Sequence, residues 1–166
     1  MNIDEAKKQF IDLWGNFGSQ WGINRSMAQV HALLLVSDTE LSTDEVMEIL
    51  GISRGNANMN LRDLLNWNLI YKVFQHGDRK EYFKAEKDIW EVAKRIVRER
   101  KRREIEPLVH HIQELRKVEG KNNETESFTD MMKSIERLVT KMDSVSDSLM
   151  RAEESKFFGM FVKLLK

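Results

Sequence analysis

Mostly α with a small β element is the fold class this sequence predicts, and three stretches predict it. Residues 42–66 hold two short helical patterns separated by Gly51, each opened by a serine cap. Residues 69–85 hold two alternating segments around the tip His76-Gly77-Asp78-Arg79. Residues 128–149 repeat apolar side chains at heptad positions. Helix, tight turn, helix, then a two-stranded ribbon is the order of a winged helix-turn-helix, and the heptads add a C-terminal helical arm. The expected division is 1–86 for the winged helix-turn-helix with its N-terminal helix, and 87–166 for a dimerisation and regulatory arm.

The first helix is expected over Asn2–Gly22. Phe10, Trp14, Phe17 and Trp21 recur along one helical face, and Gly15, Gly18 and Gly22 lie on another. Glycine inside a helix costs roughly 0.5–1 kcal/mol against alanine, so this stripe implies close approach of a neighbouring backbone or of a ligand. Packing on a neighbouring helix is the plainer of the two. A second helix follows from Arg25, buried through Met27, Val30, Leu33 and Leu34 and ending near Ser37. His31 on it reads as a satisfied core histidine.

Ser42 and Glu45 form a capping box that starts the third helix, whose apolar face is Val46, Ile49 and Leu50. Gly51 ends it in a left-handed conformation. Ser53 caps the fourth helix, which turns Ala57, Leu61 and Leu64 inward. Asn68 supplies the left-handed stop after Trp67. Strands over Leu69–Phe74 and Lys80–Ala85 complete the wing.

The arm opens with Ile89, Ala93 and Ile96, is interrupted by RERKRRE, and resumes with Leu108, Ile112 and Leu115 after Pro107, which should kink or restart the helix. The polar stretch GKNNETES reads as a linker. Phe128, Ile135, Met142 and Leu149 then recur every seven residues, as do Met131, Leu138 and Val145. These seven residues are the expected dimer seam, although the same face could pack on the chain's own helices. A short amphipathic helix, SKFFGMFVKLLK, closes the sequence.

Composition bounds the rest. The chain has 166 residues, 41% hydrophobic and 33% charged, with one Pro, eight Gly and no Cys. That allows a core, argues against disorder, and excludes disulfides and thiol chemistry. Formal net charge is +0, so only a local basic patch could favour nucleic acid. The start carries no signal-peptide pattern and no stretch is apolar enough to span a membrane, so a cytoplasmic protein without membrane attachment is expected. No phosphate-cradling loop or nucleophile motif points to an enzyme, and no cofactor or metal is expected. His110-His111 with Glu114 is too sparse a donor set to imply a metal. Lys94–Arg103 reads as a solvated basic helix face.

With Ala57, Leu61 and Leu64 inward, Arg54, Asn58 and Arg62 run down the opposite side of the fourth helix, flanked by Asn56 and Asn60. Asn can bridge adenine N6 and N7, and Arg can bridge guanine O6 and N7. Ser42, Thr43 and Ser53 offer short hydroxyls for backbone phosphate. Arg79 and Lys80 at the wing tip suit a narrow minor groove, with Asp78 expected to orient the Arg79 guanidinium. Double-stranded DNA is therefore the expected partner. The alternative is a protein–protein interaction module that uses the same winged helix and assembles through its C-terminal helices.

Three strings, FIDLWGNFGSQWGINRSMAQVHALLLVS, LSTDEVMEILGISRGNANMNLRDLLNWNLI and GDRKEYF, resemble the GbsR/MarR group of transcriptional regulators. SRGNANMNLRDL followed by GDRKEY is the most specific part. The resemblance implies a homodimeric winged-helix repressor or activator on a pseudo-palindromic operator. It also implies that the helix from Ser53 is the recognition helix and that the Asp78-Arg79 wing lies along the minor groove. Asn68 stands where that group usually has Gly. Some members of the group sense choline or betaine. Trp14, Phe17, Trp21 and Trp90 could wall a site for such an effector beside Gly15 and Gly18, by cation–π attraction. Plain core packing is the expected role of these rings.

Overall fold

The structure, a computed structural model, describes residues 1–120 and 122–151. The helix expected over 155–166 and the side chain of Leu149 lie outside the described residues. The chain divides into two compact units, Met1–Val92 and a second from Ala93 onward.

The first unit is built on α2 (Arg25–Val36), which is apolar on most sides and accordingly buried on most sides. Val30, Ala32 and Leu34 lose essentially all exposure. Against α2 pack α1 (Ile3–Gln20), α3 (Thr43–Leu50), α4 (Arg54–Asn66) and β3 (Glu81–Ala85). The sheet is antiparallel in the order β1-β3-β2, with β1 (Leu41–Ser42) and β2 (Ile70–Phe74) on either side of β3. In register, Leu41 faces Phe83, and Ile70 and Phe74 face Ala85 and Glu81. The wing is therefore two paired strands joined by residues 75–80, and β1 is a third strand that the sequence patterns do not announce.

The local signals act as expected. Ser42 and Glu45 cap α3 reciprocally, Gly51 ends it at φ 64°, Ser53 caps α4 by accepting from the Asn56 N–H, and Asn68 turns the chain at φ 56°. Lys87 adds a cap that acts at a distance. Its ammonium donates to the carbonyls of Leu34, Leu35 and Ser37 at 2.9, 2.6 and 2.8 Å. All three N–H groups thus close the C-terminus of α2, whose last turn has no basic residue of its own. Burial pulls the Lys87 ammonium below the usual lysine range.

The glycine stripe, not the aromatic one, is the packed face of α1. Ile11, Gly15 and Gly18 are buried against α2. A Cβ on Gly18 would stand 2.6 Å from the Ala28 Cβ, and one on Gly15 would stand 2.6 Å from the Gln29 Cγ. The space left by the missing side chains is therefore filled by α2.

His31 is buried as expected but is not satisfied. It is 3% exposed, and its Nε2 has no hydrogen-bond partner among the described residues. Trp14 lies over it, with ring centroids 6.3 Å apart.

In the second unit, α5 (Ile89–Arg100, entering from the first) runs into a π-helical segment, Lys101–Ile105, and then α6 (Glu106–Leu115), where Pro107 sits in the first turn and restarts the helix. The last described helix, α7 (Asn123–Arg151), packs on α6 and on the π-helical segment. Five of the eight residues of the expected linker, from Asn123 on, are thus helical. The reason is Asn122, whose side chain accepts from the backbone N–H and the hydroxyl of Thr125, both at 2.8 Å.

The basic run is not simply solvated. Lys101 lies 3.0 Å from Asp143 and 2.7 Å from Asp147 on α7, and Arg102 and Arg103 both grip Glu99. Burial pushes the Glu99 carboxyl up, but hydrogen bonds from the two arginines outweigh it and leave the group below its usual range. Ile112 on α6 and Val139 on α7 are buried. The heptad face of Phe128, Met131, Leu138, Met142 and Val145 stays exposed, with Ile135 half-buried.

Burial alone lowers the His31 pKa from 6.5 to about 4. The unfolded chain therefore binds a proton that the folded chain refuses, and stability present above pH 6.5 is lost as pH falls toward about 4. Between pH 7 and 5 this amounts to about 2 kcal/mol. Urea unfolding of the wild type should show that loss relative to His31→Phe. Parallel pH profiles for the two proteins would contradict it.

Candidate nucleic-acid interface

Helix α4 is positioned by what it buries. Ala57, Asn60, Leu61 and Leu64 form its inward stripe, and Leu61 and Leu64 are each 1% exposed. Fully burying such side chains contributes about 1.5–3 kcal/mol each, so the helix has one stable rotation. That rotation leaves Arg54 and Arg62 exposed and Asn56 and Asn58 half-exposed on the outer side.

Two of the expected contact residues are withdrawn from the surface. Asn60 is 0% exposed, and its amide donates to the Asn56 carbonyl at 2.8 Å and to the Asn56 side chain. Its spacing from Ala57 and Leu64 puts it on the buried stripe, so it cannot read a base edge. Ser42 is also buried, and its hydroxyl donates to Glu45 Oε2 at 2.6 Å. The same hydrogen bond is the main reason the Glu45 carboxyl sits below its usual range. Thr43 is half-buried beside it and Ser53 is exposed at the start of α4.

On the wing, Arg79 and Lys80 are exposed. Asp78 does not orient the Arg79 guanidinium. It accepts from the Lys80 N–H at 2.9 Å and from the Tyr82 hydroxyl at 2.8 Å, and these bonds hold its carboxyl below the usual range. It is thus a clasp for the turn, where Gly77 takes φ 83°. Arg54 and Lys80 converge: both lie against the Asp44 carboxylate in the first turn of α3. The start of α4 and the base of the wing therefore share one face. Asp44, exposed Met59 and exposed Gly55 on this side were not picked out from the sequence; an acidic residue one helix earlier gives no local sign of what it faces.

The aromatic residues are placed differently from either expectation. Phe10, Trp14, Phe17 and Trp21 form a ladder along α1 with successive ring centroids 5.5, 5.9 and 5.6 Å apart. Trp14 is half-buried on His31, but Phe17 is 47% and Trp21 59% exposed, so the outer rings are not core. The room beside Gly15 and Gly18 is taken by Gln29 and Ala28, so no cage forms there. Trp90 lies half-buried in the first turn of α5, its backbone N–H donating to the Asp88 carboxylate. A groove of about 490 Å³ does open elsewhere in this unit, lined by Ile11, Leu33, Val36 and Ile49 together with Lys7 and Asp12.

His111 Nδ1 lies 2.6 Å from the Pro107 carbonyl and serves there as a donor. Among the described residues no group of three or more His, Cys, Asp or Glu could hold a metal ion, and no helix is long and apolar enough to cross a membrane.

Comparison with known proteins points to the same fold. The MarR family model matches residues 21–81, the span from the end of α1 to the wing. The HTH-type transcriptional repressor GbsR of Bacillus subtilis (strain 168) is 26% identical over 172 aligned positions, covering 97% of this chain and 95% of the relative. A crystal structure described as a transcriptional regulator shares the fold at 20% identity and TM-score 0.59, over 88% of this chain and 97% of the other. The matched family and relatives are transcription regulators rather than enzymes, and the first unit of this chain, which carries the MarR-family match, has the winged helix-turn-helix fold.

Proposed function

We propose that the chain represses transcription by binding duplex DNA as a homodimer on a pseudo-palindromic operator. The convergence of Arg54 and Lys80 on one face, with Asn58 and Arg62 continuing along α4 and Arg79 along the wing, carries the reading. A helix with amide and guanidinium groups outward suits the major groove, and a basic loop beside it suits the adjacent minor groove. Ser53 and the free N–H groups at the start of α4 suit a phosphate. Similarity to the repressor GbsR supports the direction of control.

Dimerisation is supported by the exposed heptad face of α7. Leu138 is 59% exposed, and its apolar neighbours Phe128, Met131, Met142 and Val145 are exposed with it. An apolar stripe of that length suits a partner helix. Two α4 helices one helical turn apart would double an otherwise small DNA interface. Sedimentation should give a dimer at micromolar concentration that Leu138→Lys weakens. A monomer indifferent to that substitution would contradict it.

Contacts to bases and to phosphates separate by mutation. Asn58→Ala should cost about 1–3 kcal/mol at one operator position and relax preference there. Arg79→Ala should weaken binding to all sequences and reduce the salt slope by about one. Gel-shift titrations on wild-type and single-base-changed operators make the comparison. Equal, sequence-blind losses for both variants would refute the recognition-helix assignment. No binding to DNA from its own control region would favour a protein-docking role.

A further inference from the structure

The Asp44 carboxylate is the group on which the two basic elements meet. Arg54 Nη2 donates to its Oδ1, and Lys80 Nζ lies 3.7 Å from its Oδ2. The three residues belong to the first turn of α3, the first turn of α4 and the wing. None is sealed from solvent, since the side chains of Asp44, Arg54 and Lys80 keep 47%, 63% and 59% exposure. Arg62 and Arg79, on the same outer side, have no ion-pair partner among the described residues.

A carboxylate that takes one N–H of a guanidinium and draws in an ammonium presents the same charge and acceptor chemistry as a backbone phosphate between those groups. We propose that Asp44 is an internal stand-in for a DNA phosphate: it occupies Arg54 and Lys80 in the free protein and competes with duplex DNA for them. The inference rests on the DNA-binding reading above.

Exposed ion pairs are individually weak, so the clasp opens readily. Duplex DNA wins the competition through counterion release, which a single carboxylate cannot match. The need to open the clasp still opposes every duplex brought to that face, whatever its sequence. A sequence that offers no base-edge contacts to α4 has nothing to offset this opposition, whereas an operator does. Asp44 thereby suppresses backbone-driven binding. A purely structural role, as an acidic residue favourable to the N-terminal dipole of α3, would change stability slightly and DNA affinity not at all.

Fluorescence anisotropy of the full chain with a mixed-sequence duplex of about 30 base pairs, over a series of salt concentrations, tests this. Asp44→Asn should lower Kd by roughly 3- to 30-fold and steepen the salt dependence by about one unit. In an Arg54→Ala/Lys80→Ala background the same substitution should gain less than about twofold, because the groups it frees are gone. Asp44→Ser, which keeps a helix-start side chain, replaces Asn in the comparison where Asn lowers the melting temperature. An Asp44 variant that melts normally and binds no tighter overturns the proposal and makes Asp44 an orienting partner of Arg54. An undiminished gain in the double-alanine background overturns it as well. If the wild type and every variant fail to bind at low salt, the DNA-binding reading falls and takes this inference with it.

Discussion

Everything on the outer face of α4 depends on the burial of its inner one. Ala57, Asn60, Leu61 and Leu64 seat the helix against α2, and they set which side chains remain outside. A rotation that advanced this inward stripe by one residue would bury the Arg62 guanidinium without a partner, at a cost of several kcal/mol. The seat is itself anchored. Gly51 and Ser53 hold the turn before α4, Asn68 the turn after it, and Lys87 closes the end of α2 with three hydrogen bonds. The candidate interface thus inherits its geometry from a core that carries none of its chemistry.

The second unit is held by a different balance of forces. Between α6 and α7 the buried apolar contact centres on Ile112 and Val139, and ion pairs do much of the remaining work. Lys101 bridges Asp143 and Asp147, and Arg116 pairs with Glu136. These pairs are half-buried, and they lie with Val139 on the inner stripe of α7 and help define it. The heptad residues are left on the other side. A helix with a charged inner face and an apolar outer one suits a partner molecule on the outer one.

What was legible in the sequence was local. The Ser42–Glu45 box, the Gly51 and Asn68 turns, the Ser53 cap and the two wing strands each rest on side-chain-to-backbone chemistry within a few residues, and each is where the patterns put it. What was not legible depends on partners distant in sequence. The two-residue β1 exists only because Phe83 and Tyr82 pair with it. The aromatic stripe of α1 looks like core until the glycines are seen to seat against Ala28 and Gln29. Asn60 could have been recognised, because it completes a three–four spacing with Ala57 and Leu64. The roles of Asp44 and Asp78 could not. Each carboxylate has basic neighbours in sequence or space, and only the fold decides which donor it takes.

Guanine N7 methylation interference, combined with hydroxyl-radical footprinting of the bound duplex, bears most directly on the central claim that α4 reads the major groove while the wing follows the minor groove. The account predicts two interference sites on one face of the DNA, about one helical turn apart, each flanked by minor-groove protection on the wing side. Protection without any N7 interference, or a single isolated site, would contradict it.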